Sequence, residues 1–162
     1  MLLRPRQKEF VERSIAALLE HGNTLGVAPT GAGKTIILSA VIGKLIQQYP
    51  RLKVCVLAHR DELTYQNESK FKLVNPTIST SILNSHTKSW DGQVTFAMVQ
   101  TLSRGEHLEQ MPKIDLLVID EAHHVTASSY LEIIEVVRKK NPQVKIFGVT
   151  ATPMRGDNVS LA

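Results

Sequence analysis

Cysteine is nearly absent from this sequence: Cys55 is the single thiol in 162 residues. No intramolecular disulfide can form. No cysteine stands at metal-ligand spacing from the His123-His124 pair, so a zinc site is not expected. Cys55 lies within Val54-Cys55-Val56-Leu57, where a small apolar thiol is expected to be buried, and a reducing cytoplasm suits it. Aromatic residues make up only 5% of the chain. None is interleaved with basic residues, so no platform for stacking bases is visible. Long apolar runs are missing as well. None approaches the ~20 residues of a membrane span, and Met1-Leu2-Leu3-Arg4-Pro5 lacks the apolar core of a signal peptide. Repeats, low-complexity tracts and linkers are lacking too.

With 43% hydrophobic and 21% charged residues, the chain has the composition of a soluble domain with a real core, and it reads as one unit over 1–162. The net charge is +4 and uneven. Residues 1–74 carry eleven Lys/Arg against six Asp/Glu, and residues 75–162 carry eight against nine. A mildly basic half is compatible with a polyanionic partner without establishing one.

Apolar runs alternate with helix-length amphipathic stretches, the pattern of a mostly parallel α/β sheet with helices on both faces. Pro5 suits a first helical turn, Phe10, Val11, Ile15, Leu18 and Leu19 supply an apolar face, and Gly22 can end the helix. A strand is expected at Thr24–Val27, a helix from about Lys34 to Gln48, and a buried strand at Lys53–Ala58. Asp61 can cap a helix running to about Val74. Strands are expected near Ile78–Leu83, at Val94–Val99, at Leu116–Ile119 and at Val144–Val149. Ser128 or Ser129 can cap a helix that ends near Lys140. A polar loop through Trp90-Asp91-Gly92 separates two of these strands. Trp90 there suits a cover over a local apolar patch better than a nucleotide contact. The polar residues at 28–35, 59–60, 100–101, 120–123 and 150–152 all follow the carboxyl ends of apolar strands, the edge where open α/β sheets bind ligands.

Ala28-Pro29-Thr30-Gly31-Ala32-Gly33-Lys34-Thr35 matches the phosphate-binding loop apart from Ala28 at its first glycine position. Gly31 and Gly33 let the backbone curl so that N–H groups point at a polyphosphate, and the following helix adds its positive end. Pro29, Thr30 and Ala32 complete the cradle. Lys34 is expected to reach the β- and γ-phosphates without any part in the core, and the Thr35 hydroxyl to ligate Mg²⁺. Asp120-Glu121-Ala122-His123 directly follows Leu116-Leu117-Val118-Ile119. Asp120 at that strand end can hold Mg²⁺ through water, and Glu121 can orient and deprotonate an attacking water.

Four elements, Leu3-Arg4-Pro5-Arg6-Gln7, the loop at 28–35, Asp120-Glu121-Ala122-His123 and Val149-Thr150-Ala151-Thr152-Pro153, stand in the order of a superfamily 2 helicase and span nearly the whole chain. The chain resembles the first RecA-like lobe of that superfamily. It is most similar to the branch of the type III restriction enzyme helicase subunits and RadD-like DNA helicases, whose nucleic-acid motifs Leu57–Leu63 and Val99–Leu102 match. The resemblance implies a three-layer RecA-like P-loop NTPase fold. Gln7 corresponds to the glutamine that reads adenine and so implies ATP. Arg6 stands where many relatives carry an aromatic residue, and its guanidinium can stack there instead. Thr150 and Thr152 correspond to the motif linking the ATP site to nucleic acid, and His123 to the coupling residue of the acidic box. His59, Arg60, Gln100 and Thr101 correspond to positions that touch a sugar-phosphate backbone.

The branch favours DNA over RNA as the track. The family's motor has a second RecA-like lobe that brings an arginine finger, and the chain is expected to lack that lobe. The implied function is ATP hydrolysis coupled to unwinding or translocation. Three alternatives stay open: a lone nucleotide- or nucleic-acid-binding module without turnover, an RNA helicase lobe, and a different P-loop ATPase. The last is disfavoured because no Leu-Ser-Gly-Gly-Gln-like signature precedes the acidic box and because an AAA+ module requires neither terminal motif.

Overall fold

The computed structural model describes residues 3–27, 33–104, 106–121 and 128–150. Along the chain run α1 (Pro5–His21), β1 (Asn23–Val27), α2 (Lys34–Gln48), β2 (Val54–Ala58), α3 (Asp61–Val74), β3 (Thr80–Leu83), β4 (Val94–Met98), α4 (Val99–Leu102), α5 (His107–Gln110), β5 (Leu116–Asp120), α6 (Ser128–Lys140) and β6 (Lys145–Thr150). The strands form one sheet in the order β1-β6-β5-β2-β4-β3, and each neighbouring pair is parallel.

Strand alternation builds the layers. Val54, Val56, Phe96, Leu116, Val118, Phe147 and Val149 face one core with Leu18 of α1, Phe71 of α3 and the apolar body of α2. Cys55, Leu57, Ala97, Leu117, Ile119 and Ile146 face a second core with α4, α5 and α6. A strand apolar on both sides needs a cover on both sides, which gives the expected three-layer α/β architecture. Cys55 is fully buried, and burial pushes its thiol up to about 12. Among the described residues no helix is long and apolar enough to cross a membrane.

Several local expectations are corrected. The buried line of α1 is Gln7, Val11, Ser14 and Leu18, which follows the 3.6-residue period. Leu19 falls off that line and is exposed. Asp61 does not cap α3. Arg60 is the extended N-cap, and the Asp61 carboxylate accepts a hydrogen bond from the Ser85 hydroxyl. Strand β4 stops at Met98, and Val99 opens a helical turn that drives Val99, Thr101 and Leu102 into the second core.

The 90–92 loop is pinned from below. Lys53 Nζ donates to the Trp90 carbonyl at 2.6 Å and to the Gly92 carbonyl. Trp90 packs partly buried against the second core, the role of a local cover. Gly92 N donates to Ser81 Oγ at 3.1 Å. A β-carbon at Gly92 would collide with the Thr80 carbonyl carbon and lie 2.6 Å from Ser81 N, both backbone atoms that cannot rotate away. Gly92→Ala is therefore expected to lower unfolding stability by about 1–3 kcal/mol, read as a reduced urea midpoint. An unchanged midpoint would show that the two backbones are not pressed together there.

Candidate active site

Helix α2 places the first functional groups. Ile37, Leu38, Val41, Ile42 and Leu45 are at most 1% exposed, so the helix is fixed along its length and its first turn has little freedom. Gly33 precedes it with φ +74°, the left-handed region that glycine tolerates. The close approach is on its other side: a β-carbon at Gly33 would come within 2.9 Å of Gln7 Nε2. Gln7 is only 7% exposed. Its Oε1 accepts the Arg4 backbone N–H at 3.0 Å, the return half of a helix-capping pair. The residue expected to read adenine is thus seated against the end of the phosphate loop and locked in place. Arg6 is exposed on α1. Pro29, Thr30, Gly31 and Ala32 lie outside the described residues, as do His123 and Thr152.

Strand β5 supplies the acid. All five of its residues are buried, and Asp120 at its carboxyl end is 1% exposed. A carboxylate in such a place needs a cation. Lys34 Nζ lies 2.6 Å from Asp120 Oδ1 and also pairs with Glu121 Oε1. Burial is the largest single influence on Lys34 and would lower its pKa. The hydrogen bonds and charges of Asp120 and then Glu121 together outweigh it, and the net shift is upward from 10.5. Glu121 has φ +58°, the one positive value outside glycine among the described residues. A side chain held in that region costs about 1–3 kcal/mol, and here the strained residue is the candidate base.

Two residues at this site carried no functional signal in the sequence. Asn67 of α3, 2% exposed, accepts the Thr35 hydroxyl at its Oδ1 (3.3 Å) and donates from Nδ2 to Asp120 Oδ2 (3.0 Å). The available hint was the spacing Thr64, Asn67, Phe71, which puts two polar side chains on the buried stripe of α3. Tyr130 of α6 is 3% exposed, and its hydroxyl meets no hydrogen-bond partner among the described residues. Burial first, then the charges of Asp120 and Glu121, push its phenol up to about 12.

The sheet order brings the remaining candidates to the same edge. Thr150 ends β6 fully buried, paired with Val27 of β1, while Asp120 of β5 pairs with Val149 on the other side. The strand that ends in Thr150, expected to couple, therefore lies between the strand that precedes the candidate phosphate loop and the strand that carries the acid. Strands β2 and β4 are neighbours with Ala58 opposite Met98, so His59-Arg60 and Val99-Gln100 emerge side by side. Arg60 and Gln100 are exposed and His59 is half-buried. Thr101 is 6% exposed, turned inward by the helical turn of α4, so its side chain does not join that open edge.

A parallel sheet in this order, with helices on both faces and the motif residues gathered at its carboxyl edge, is the RecA-like lobe of the superfamily 2 helicases. The chain belongs to the family of the type III restriction enzyme res subunit, which it matches over residues 1–155. It is similar to IRC3 of Saccharomyces cerevisiae, named among the ATP-dependent helicases, with 32% identity over 99% of this chain and 25% of that protein. It is also similar to the ATP-dependent DNA helicase MPH1 of Pyricularia oryzae, with 30% identity over 81% of this chain and 13% of that protein. The chain thus spans a quarter or less of these two relatives. In fold it resembles the Sulfolobus solfataricus SWI2/SNF2 ATPase core, with TM-score 0.77 at 18% identity over 97% of this chain and 33% of that one. The UvsW helicase of bacteriophage T4 gives TM-score 0.71 at 20% identity over 96% and 54%.

The expectation that Lys34 plays no part in the core is corrected by its place beside Asp120. Removing it strands a buried carboxylate, a change that costs about 3–5 kcal/mol in comparable buried pairs. Lys34→Met is expected to remain folded with stability lower by about 3 kcal/mol at neutral pH. A raised lysine pKa contributes stability that is complete below the unfolded value of 10.5 and lost as pH rises through the folded value. The gap between wild type and Lys34→Met, followed by urea unfolding, is therefore constant through neutral pH and narrows above about 10.5. Equal stability of the two proteins at pH 7 would contradict the ion pair.

Proposed function

We propose that the chain is the ATP-binding lobe of an ATP-dependent DNA helicase or translocase, hydrolysing ATP to ADP and phosphate as it moves along or unwinds its track. The observation that carries this reading is the meeting of Lys34 and Thr35, from the start of α2, with Asp120 from the end of β5. In the reading, the loop at 28–35 holds the polyphosphate, Lys34 faces the β- and γ-phosphates, and Gln7 with Arg6 borders the base. The donor set suits Mg²⁺. Thr35 offers a hard oxygen ligand, Asp120 can hold the ion through water, and the position beside Asp120 Oδ1 already holds a positive charge, the Lys34 ammonium. Bound there, Mg²⁺ supplies neutralisation of phosphate charge. Glu121 accepts a proton from the attacking water, whose oxygen bonds to the γ-phosphorus as the bond to the ADP oxygen breaks. Thr150, Thr152 and His123 transmit the state of the site to the edge formed by His59, Arg60, Gln100 and Thr101, where phosphates of the track bind. Because Thr101 is turned inward, its share in that contact comes from its backbone.

The same reading makes residues 1–162 one functional lobe that works against a second RecA-like lobe bearing an arginine finger. The DNA assignment draws on the branch to which the chain belongs and on relatives named as DNA helicases. An RNA track is the second reading, favoured by one relative, the ATP-dependent RNA helicase DHX58 of Mus musculus, at 29% identity over 99% of this chain. For location we favour a reducing compartment. The buried thiol suits the cytoplasm, and a Schizosaccharomyces pombe relative carries a mitochondrial name.

The test is phosphate release by the protein together with its second lobe, with single-stranded DNA or RNA of matched length. Glu121→Gln is expected to keep nucleotide binding and to cut turnover by about 10²–10⁴-fold, the usual worth of a positioned base. DNA is expected to stimulate the wild type more than RNA does. Turnover equal to wild type would place the base elsewhere, and stronger stimulation by RNA would favour the second reading.

A further inference from the structure

Asn67 is the one residue that touches both candidate Mg²⁺ ligands among the described contacts. It sits in the middle of α3, away from every motif that identifies the family, yet both ends of its carboxamide are used within the site. A buried asparagine with a purely structural task commonly satisfies backbone groups, as Asn84 does by accepting the His86 and Thr87 N–H groups and Asn141 by donating to the Ile114 carbonyl. Asn67 instead bridges Thr35 and Asp120.

The donor and acceptor inventory makes the bridge directional. An ionised Asp120 can only accept, so the amide must present Nδ2 to Asp120 Oδ2. Oδ1 then faces Thr35, whose hydroxyl has one proton and must give it to Asn67. The lone pairs of Thr35 Oγ1 are left for a cation. On Asp120, Oδ2 is held by Asn67, while Oδ1 faces the Lys34 ammonium, the position that already carries positive charge. Asn67 thus leaves the Thr35 Oγ1 lone pairs and Asp120 Oδ1 as the atoms available to a metal. It also does so rigidly, because its side chain is 2% exposed on a helix anchored by fully buried Phe71.

We propose that Asn67 is the positioning residue of the metal half of this site, orienting Thr35 and Asp120 for Mg²⁺; the proposal rests on the nucleotide-and-Mg²⁺ reading above. Outer partners of this kind are worth about 10–100-fold in metal affinity where they have been removed from other sites. Two substitutions separate orientation from bulk. Asn67→Leu keeps the branched skeleton, adds bulk and removes both hydrogen bonds. Asn67→Ala removes both hydrogen bonds without adding bulk or charge.

The experiment measures binding of a fluorescent ADP analogue to the 162-residue chain, once in EDTA and once across a Mg²⁺ titration, with far-UV circular dichroism as the check on folding. For the wild type, Mg²⁺ strengthens binding. For both variants, the Mg²⁺ needed for half of that gain rises about tenfold or more, while affinity in EDTA stays within about twofold of wild type. A wild type with no Mg²⁺-dependent gain overturns the nucleotide-and-metal reading itself and takes this proposal with it. A wild-type gain that both variants reproduce at the same Mg²⁺ concentration leaves that reading standing and removes Asn67 from it. Equal losses in EDTA and in Mg²⁺, or failure of both variants to fold, make Asn67 a packing residue and overturn the proposal.

Discussion

A carboxylate buried at the end of an apolar strand is the constraint on which the rest of this molecule turns. Strand β5, Leu-Leu-Val-Ile-Asp, is covered on both faces, and Asp120 has 1% of its surface open to solvent. An ion in that position is unfavourable by several kcal/mol unless a counter-charge and hydrogen bonds meet it. Lys34 brings the counter-charge and Asn67 a hydrogen bond. Each comes from a helix that would be amphipathic or apolar without it, so the acid determines what the starts of α2 and the middle of α3 must carry. A stable core alone would not require this. Replacing Asp120 with one more apolar residue would complete β5; in the proposed reading, the charge is there for Mg²⁺ and nucleotide.

Sheet topology does the gathering. In a parallel sheet every strand delivers its next loop to the same edge, and the order β1-β6-β5-β2-β4-β3 sorts those loops. In the proposed reading, the nucleotide half falls on β1, β6 and β5, and the half offered to a track falls on β2 and β4. Helix α3 joins them, because its N-cap is Arg60 and its inner face carries Asn67. The opposite, amino edge is built differently. Asp115 accepts the Lys53 N–H at 2.9 Å, and Asn141 donates to the Ile114 carbonyl at 2.8 Å, so the strand starts are tied to one another. A concavity of about 590 Å³ opens there between Tyr49, Pro50, Arg51, Lys113 and Lys145. It lies away from the Lys34, Asp120 and Glu121 cluster. We weigh the convergent buried charges of that cluster above the volume of the cavity.

Much of this was legible in the sequence because the signals were local. Helices α2 and α3 span Lys34–Gln48 and Asp61–Val74 as expected, since a Gly-rich sequence precedes one and a short, fully apolar strand precedes the other. What escaped was what depends on contacts between distant segments. The Asn67 bridge joins residues 32 and 53 positions away, and no periodicity encodes it. Thr101 reads as one more polar residue after a strand until α4 turns it inward. Leu19 extends an apolar pair at the end of α1, and only the angle of the helix against the sheet decides that Leu18 is the buried one. Lys34 looked purely functional because its pairing partner lies 87 positions downstream.

The central claim is that the carboxyl edge, with its buried acid and paired lysine, is where nucleotide binds. Amide chemical-shift mapping of the ¹⁵N-labelled chain on addition of ADP with Mg²⁺ tests it most directly, since even weak binding displaces the signals of residues in contact. The account predicts that the shifts concentrate at Gln7, Gly33, Lys34, Thr35, Asp120 and Glu121, with Asn67 among them. Shifts concentrated instead at Tyr49, Arg51, Lys113 and Lys145, around the concavity of the amino edge, would contradict it.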